Sequence, residues 1–183
     1  MTYETIQIKK ENNIAIIMLN RPAIHNAMNE AMMKELTQAF KELEQDNPVR
    51  IIVLTGKGKS FCAGADLNWM KSMVTYSKEE NIKDSNLLLD LYDGIYHCSK
   101  PVIAKVNGHA FGGGLGLFAV CDLAFAVPEC KFAFSEAKLG IIPSVISTYI
   151  ARRIKGIAHM RRLFITGERF TAKDAESFGL IDH

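Results

Sequence analysis

Polar and apolar positions divide the chain into short strands and longer helices in alternation. Glu4-Thr5-Ile6-Gln7-Ile8-Lys9 alternates with period two, the pattern of a half-buried strand. Asn12-Asn13 supplies a turn and Ile14 to Leu19 is a continuous apolar run, so the chain is predicted to open with a hairpin. Asn20-Arg21-Pro22 stops it, and His25-Asn26-Ala27-Met28 reads as a loop. Asn29 then caps a helix, with Glu30 in its first turn and Met32, Leu36, Ala39, Phe40 and Leu43 on its buried face as far as Asp46. Ile51 to Leu54 is a short buried strand, and Lys78 to Tyr96 a long amphipathic helix with Leu88, Leu91, Tyr92 and Ile95 on one face. Strand patterns follow at Pro101 to Val106 and Asp122 to Val127, with an extended segment at Lys131 to Phe134. Val145 to Ile154 and Ala158 to Ile165 read as helices, and Thr171 caps a last one, Ala172 to Phe178. This alternation predicts a largely parallel sheet with crossover helices.

Two junctions in this scheme are unusual. Val106-Asn107-Gly108-His109-Ala110-Phe111 leads from a strand into Gly112-Gly113-Gly114, and an apolar run then ends at Cys121. Three adjacent glycines cost conformational entropy. They are useful where backbone must approach a ligand, because a helix N-terminus offers unpaired N–H groups and partial positive charge. They serve equally as a tight turn that lets a helix pack on a strand. The second junction, Ser60-Phe61-Cys62-Ala63-Gly64-Ala65-Asp66-Leu67, opens a short helix (Leu67 to Met73) with Asp66 at its start. It is either a second backbone approach site, a capped helix, or both. Gly56-Lys57-Gly58-Lys59-Ser60 invites comparison with a phosphate loop, but that motif needs glycine at position 53, where Val53 stands.

Composition narrows the picture. A chain of 183 residues that is 48% hydrophobic is long enough for one well-cored domain. A formal charge of +2 implies no nucleic-acid partner, and the cluster Arg152, Arg153, Lys155, Arg161, Arg162 falls on a helical pattern without interleaved aromatics. It reads as a solvated helix face or the rim of an anionic-ligand site. No apolar run reaches membrane-spanning length and no signal-peptide core begins the chain, so neither membrane nor export is expected. Cys62, Cys98, Cys121 and Cys130 lack metal-ligand spacing and read as reduced thiols of a cytoplasmic protein.

Taken together, four stretches resemble the crotonase (enoyl-CoA hydratase/isomerase) superfamily. They are Asn20-Arg21-Pro22 with His25-Asn26-Ala27-Met28; Ser60 to Leu67; Lys100 to Gly108 with Gly112-Gly113-Gly114; and Phe134-Ser135-Glu136 with Leu139-Gly140-Ile141-Ile142-Pro143. The resemblance implies an α/β fold, a crotonase-like spiral of ββα repeats (the ClpP/crotonase fold), that binds a coenzyme A thioester as substrate and needs no cofactor and no metal. It implies that the N–H groups of Ala65 and Gly113 hold the thioester oxygen, each such donor being worth about 3 kcal/mol in comparable oxyanion holes. Glu136 is the implied catalytic carboxylate. The loop His25-Asn26-Ala27-Met28 and the run Ala63-Gly64-Ala65-Asp66 are the implied coenzyme A edges, and Leu67, Gly112, Gly116 and Pro143 are further implied substrate-binding positions; His25 reads as an exposed loop residue rather than a catalytic one.

The sequence departs from the family at one point. Hydratases of this kind usually carry a second carboxylate three residues after the middle glycine, where Gly116 stands. Glycine there means either close packing or room, for substrate bulk or for an ordered water in place of the carboxylate. The expected activity is hydration of an α,β-unsaturated acyl-CoA. Alternatives are an enoyl-CoA isomerase with a single glutamate base, and a catalytically weak acyl-CoA binder. Ala65 to Lys71 and Ser135 to Ser147 look most like bacterial methylglutaconyl-CoA hydratases, which act in leucine and isoprenoid acid breakdown. The family also implies a homotrimer or a dimer of trimers. Its pattern is followed as far as Leu180-Ile181-Asp182-His183, so residues 1–183 are expected to form a single core domain without the family's final helices.

Overall fold

The computed structural model describes residues 3–183. In chain order the strands are β1 (Ile6–Glu11), β2 (Ile14–Leu19), β3 (Ile51–Gly56), β4 (Ser60–Cys62), β5 (Val102–Val106), β6 (His109–Phe111), β7 (Leu123–Ala126), β8 (Lys131–Ala133) and β9 (Phe170–Thr171). The α-helices are α1 (Glu30–Gln45), α2 (Leu67–Met73), α3 (Lys78–Tyr96), α4 (Gly113–Ala119), α5 (Ser147–Arg153), α6 (Ile157–Thr166) and α7 (Ala172–Ser177), and 3-10 turns occupy Pro22–Ile24 and Ser135–Leu139.

The hairpin and helices lie close to where the pattern places them. Asn12 and Asn13 both adopt positive φ (48° and 65°), the backbone a two-residue hairpin turn requires. The Asn29 side chain accepts the Met32 N–H and starts α1, whose face Met32, Leu36, Ala39, Phe40 and Leu43 is buried. Ser77 and Glu80 form a capping box at the start of α3, and Thr171 and Asp174 form one on α7.

The single parallel sheet expected from the pattern is instead two sheets. One runs β1-β2-β3-β5-β7 and the other β4-β6-β8-β9. β3 is followed by β4, β5 by β6 and β7 by β8, so the chain repeatedly steps from the larger sheet to the smaller before a helical segment. This is the ββα spiral. β4, β6 and β9 are two or three residues long, too short to display a period of two. Asn107 stitches one corner to the previous one: its Oδ1 accepts the Gly56 N–H (2.9 Å) and its Nδ2 donates to Gly58 O (3.0 Å).

The basic cluster does not behave as a solvated face throughout. Arg153 donates to the carbonyls of Cys121 (2.7 Å) and Leu180 (2.8 Å) and pairs with Asp182, so it ties α5 to the end of the chain. Arg152 lies over the Tyr96 ring and Arg162 pairs with Glu168. The thiols of Cys62, Cys121 and Cys130 are buried. Burial pushes Cys62 up to about 12 and Cys130 to about 11, so these are core groups rather than nucleophiles.

Asn26 anchors the loop that carries the first edge of the site. It is fully buried at positive φ (56°), accepts the Arg21 N–H (2.9 Å), and donates to Lys57 O (3.0 Å) and Ser60 O (2.8 Å). Asn26→Ala leaves these three groups without their partner and is expected to cost about 2–4 kcal/mol, read as a lower urea midpoint with an unchanged m-value.

Candidate active site

A cavity of about 740 Å³ opens between the turn after β2, the β4–α2 junction, the first residues of α4 and the segment from Ser135 to Ile146. Its wall includes Ala65, Gly113 and Glu136 together, which lie on three successive steps of the spiral.

The two small-residue junctions each present a peptide N–H with no acceptor among the described residues. At the first, Met28 N–H donates to Gly64 O (2.7 Å) and Asp66 N–H donates to Met28 O (2.7 Å). Both bonds bypass Ala65. The Gly64–Ala65 peptide is trans, so with its carbonyl turned toward Met28 its N–H points the opposite way. At the second, Gly112 O accepts the Leu115 N–H (2.9 Å), which turns the Gly113 N–H outward from the start of α4. The two junctions touch: a Cβ on Gly64 would lie 2.8 Å from Phe111 O and 3.6 Å from Gly113 N. Gly64 has φ of 92°, so both its conformation and its space demand glycine.

Glu136 reaches the same place from the third step. Gly112 N–H donates to Ala133 O (3.0 Å), which docks the end of β8 against the glycine turn and sets the 3-10 turn carrying Glu136 beside it. A Cβ at Gly112 would lie 3.3 Å from the Glu136 Oε1. Glu136 Oε2 is buried without a hydrogen-bond partner. Burial raises the carboxyl pKa above the usual carboxylate range, and a bond from its own backbone N–H only partly offsets this. Asp66 is the other carboxylate on the wall, and it is differently placed. Burial pushes it up, but the Asn68 N–H (2.9 Å) and Arg21 (3.0 Å) outweigh that and hold it below its ordinary value. Asp66 therefore caps α2 and ties it to the Arg21 loop. Glu136 is thus the carboxylate on this wall that no cation or cap engages among the described residues.

The remaining expected residues divide clearly. His25, Ala27, Ala63, Gly64, Leu67, Gly112 and Pro143 line the cavity. His25 is exposed at positive φ, with Nδ1 2.9 Å from Ser60 Oγ and its carbonyl accepting the Ala63 N–H (3.0 Å). It is a joint between two loops as well as a wall residue. Two expected residues are not on the wall. Asn26 is turned inward by its three bonds, because its amide serves the backbone of two loops. Gly116 is sealed off: a Cβ there would lie 2.4 Å from Ile146 Cγ2 and 2.8 Å from Tyr92 Cζ. Close packing explains this glycine, and the room for substrate bulk or water is taken by those two side chains. Met28, whose backbone orients Ala65, stands out in the sequence only as the end of the His25 to Met28 loop, and Tyr92 only as part of a helix face.

The buried carboxyl should mark stability as well as chemistry. A raised folded-state pKa means that the native state binds the proton more tightly than the unfolded state, so its contribution to stability falls as pH rises through the window above the ordinary carboxylate value. Glu136→Gln removes this dependence. The difference in Tm, variant minus wild type, is expected to be more positive at pH 8 than at pH 4.

The sequence matches the enoyl-CoA hydratase/isomerase family over residues 9–183. It is 38% identical over 174 residues to the mitochondrial enoyl-CoA hydratase of Pongo abelii, covering 94% of this chain and 58% of that protein. Among solved structures, a Legionella pneumophila protein provisionally named enoyl-CoA hydratase/isomerase (crotonase) superposes with a TM-score of 0.96 at 41% identity, over 100% of this chain and 70% of that one. An enoyl-CoA hydratase from Shewanella pealeana superposes with a TM-score of 0.94 at 37% identity, over 98% and 67%. The chain thus spans between about three fifths and seven tenths of the length of these proteins. With its spiral and its converging glycine turns, the chain belongs to the enoyl-CoA hydratase/isomerase family of enzymes, the crotonases.

Proposed function

We propose that the protein adds water to an α,β-unsaturated acyl-CoA, with Ala65 and Gly113 holding the thioester oxygen and Glu136 moving the proton. The observation that carries this is the pair of unpartnered N–H groups converging beside one buried carboxylate with a raised pKa. Glu136 takes a proton from water as the oxygen attacks Cβ. The displaced electrons run to the thioester oxygen, where two preorganised donors stabilise the enolate. The protonated Glu136 then returns the proton to Cα, the carbonyl re-forms, and one water has been added. A carboxylate whose proton affinity is raised by burial takes the proton from water more readily than an ordinary one. The branched, methylglutaconyl-like acyl group and the homotrimeric or dimer-of-trimers assembly belong to this proposal.

The packing at Gly116 supports a second reading. With that space occupied, no second carboxylate partners Glu136, and a single base is enough to move a proton from Cα to Cγ of a 3-enoyl thioester. Crotonyl-CoA, 3-methylglutaconyl-CoA and a 3-enoyl-CoA distinguish the outcomes. Loss of the conjugated-thioester absorbance means hydration, its gain means isomerisation, and binding without either means an acyl-CoA carrier. On the best substrate Glu136→Gln is expected to lower kcat by about 10²–10⁴. Wild-type kcat/KM should rise with pH through an apparent pKa above the ordinary carboxylate range, and that limb should vanish in the variant. Activity within a few-fold of wild type would place the proton transfer elsewhere.

A further inference from the structure

We infer that Tyr92 is a positioning residue for the Gly113 donor, and that position 116 is glycine because the Tyr92 phenol occupies its space. The inference rests on the reading of Gly113 as a donor to the thioester oxygen.

Tyr92 is fully buried in α3, in edge-to-face contact with Tyr149. Its hydroxyl donates to Gly113 O at 2.7 Å. It is absent from the cavity wall, so its effect on chemistry passes through the backbone it holds. What it holds needs an anchor. α4 is seven residues long, and positions 113, 114 and 116 of it are glycine, following Gly112 at φ of 50°. Such a first turn has little intrinsic rigidity, yet a preorganised donor is effective only if it does not reorganise when charge develops. The phenol pins the peptide on the far side of Gly113 from its N–H, while Ala133 O pins the Gly112 N–H on the near side. Gly113 is thereby fixed from both flanks.

The glycine at 116 follows from the same contact. Its absent Cβ would lie 2.8 Å from Tyr92 Cζ and 3.0 Å from the Tyr92 hydroxyl, with Ile146 Cγ2 at 2.4 Å on another side. Any side chain at 116, a carboxylate included, has to displace the phenol or Ile146. The residue whose identity set this chain apart from two-carboxylate hydratases is therefore what admits the tyrosine to the donor turn. Ile146 also lines the cavity, so the plug faces the acyl group on one side and the glycine helix on the other.

Tyr92→Phe keeps the ring and removes the bond. The readout is the absorbance of bound cinnamoyl-CoA, whose conjugated band moves to longer wavelength when its carbonyl oxygen is polarised. Wild type should give a red shift, and Tyr92→Phe a smaller one. On the best acyl-CoA of the substrate panel, kcat should fall about five- to tenfold, the fold-change of one neutral hydrogen bond, with KM within about twofold. Tyr149→Phe, which removes a neighbouring phenol bonded to Asp93, should retain both wild-type values. Gly116→Ala should reduce the red shift as Tyr92→Phe does, and the two substitutions together should be no worse than either alone. Should Tyr92→Phe not fold, 3-fluorotyrosine placed at 92 keeps the shape, makes the phenol a stronger donor, and should enlarge the red shift. A full wild-type shift and kcat in Tyr92→Phe, or an unchanged shift with fluorotyrosine, overturns the inference and leaves the donor pair standing. Absence of a red shift in wild type itself overturns the donor reading, and the role of Tyr92 falls with it.

Discussion

A trans peptide cannot turn its carbonyl and its N–H to the same side, and the site depends on that constraint. Met28 takes the Gly64 carbonyl, so the Ala65 N–H must face away from it. Leu115 takes the Gly112 carbonyl, so the Gly113 N–H must leave the end of α4. In each case an ordinary backbone bond fixes a donor that no described residue accepts from. A backbone donor without a protein partner is rare in a folded chain. The surroundings that tolerate it are the buried corners of a spiral in which each step is locked to the last, by Asn26 at Lys57 and Ser60, by Asn107 at Gly56 and Gly58, and by Ala133 at Gly112.

Against that background the place of Glu136 makes electrostatic sense. A carboxylate that is paired and hydrogen-bonded holds its negative charge readily, as Asp66 does by serving as a cap and an ion-pair partner. Glu136 has an unpartnered oxygen in a desolvated setting, which raises its proton affinity above that of an ordinary carboxylate. Two carboxylates in one cavity thus have their proton affinities shifted in opposite directions because of their partners rather than their type.

Helix starts and the hairpin were legible in the sequence because local chemistry dictates them. Asn12-Asn13, Asn29, Asp66 and Thr171 act through bonds spanning a few residues, and the structure places each as a turn or cap. The division into two sheets was not legible from pattern, since Ser60–Cys62 and His109–Phe111 are strands only by virtue of pairing, β4 with β6 and β6 also with β8. At the site, the converging junctions and Glu136 were readable from motifs. The inward turn of Asn26 and the sealing of Gly116 were not, because each depends on residues remote in sequence, Lys57 and Ser60 for Asn26 and Tyr92 and Ile146 for Gly116. Tyr92 looked like any core aromatic, for nothing in a helical repeat tells a phenol that merely packs from one that grips a distant carbonyl.

The cavity is built from two kinds of material. Its rear, around Gly64, Gly113 and Glu136, is made of strand corners crossed by backbone bonds. Its other walls come from α2, which buries none of its residues, and from the segment that begins at Leu139, where Leu139, Ile141 and Ile142 stand exposed. Corners fixed by backbone bonds and walls made of exposed side chains are therefore separate parts of the cavity. Leu67, Leu139 and Ile142 take no part in the backbone bonds that orient the Ala65 and Gly113 N–H groups, so the width of the opening can drift in a lineage using this scaffold while those corners are kept.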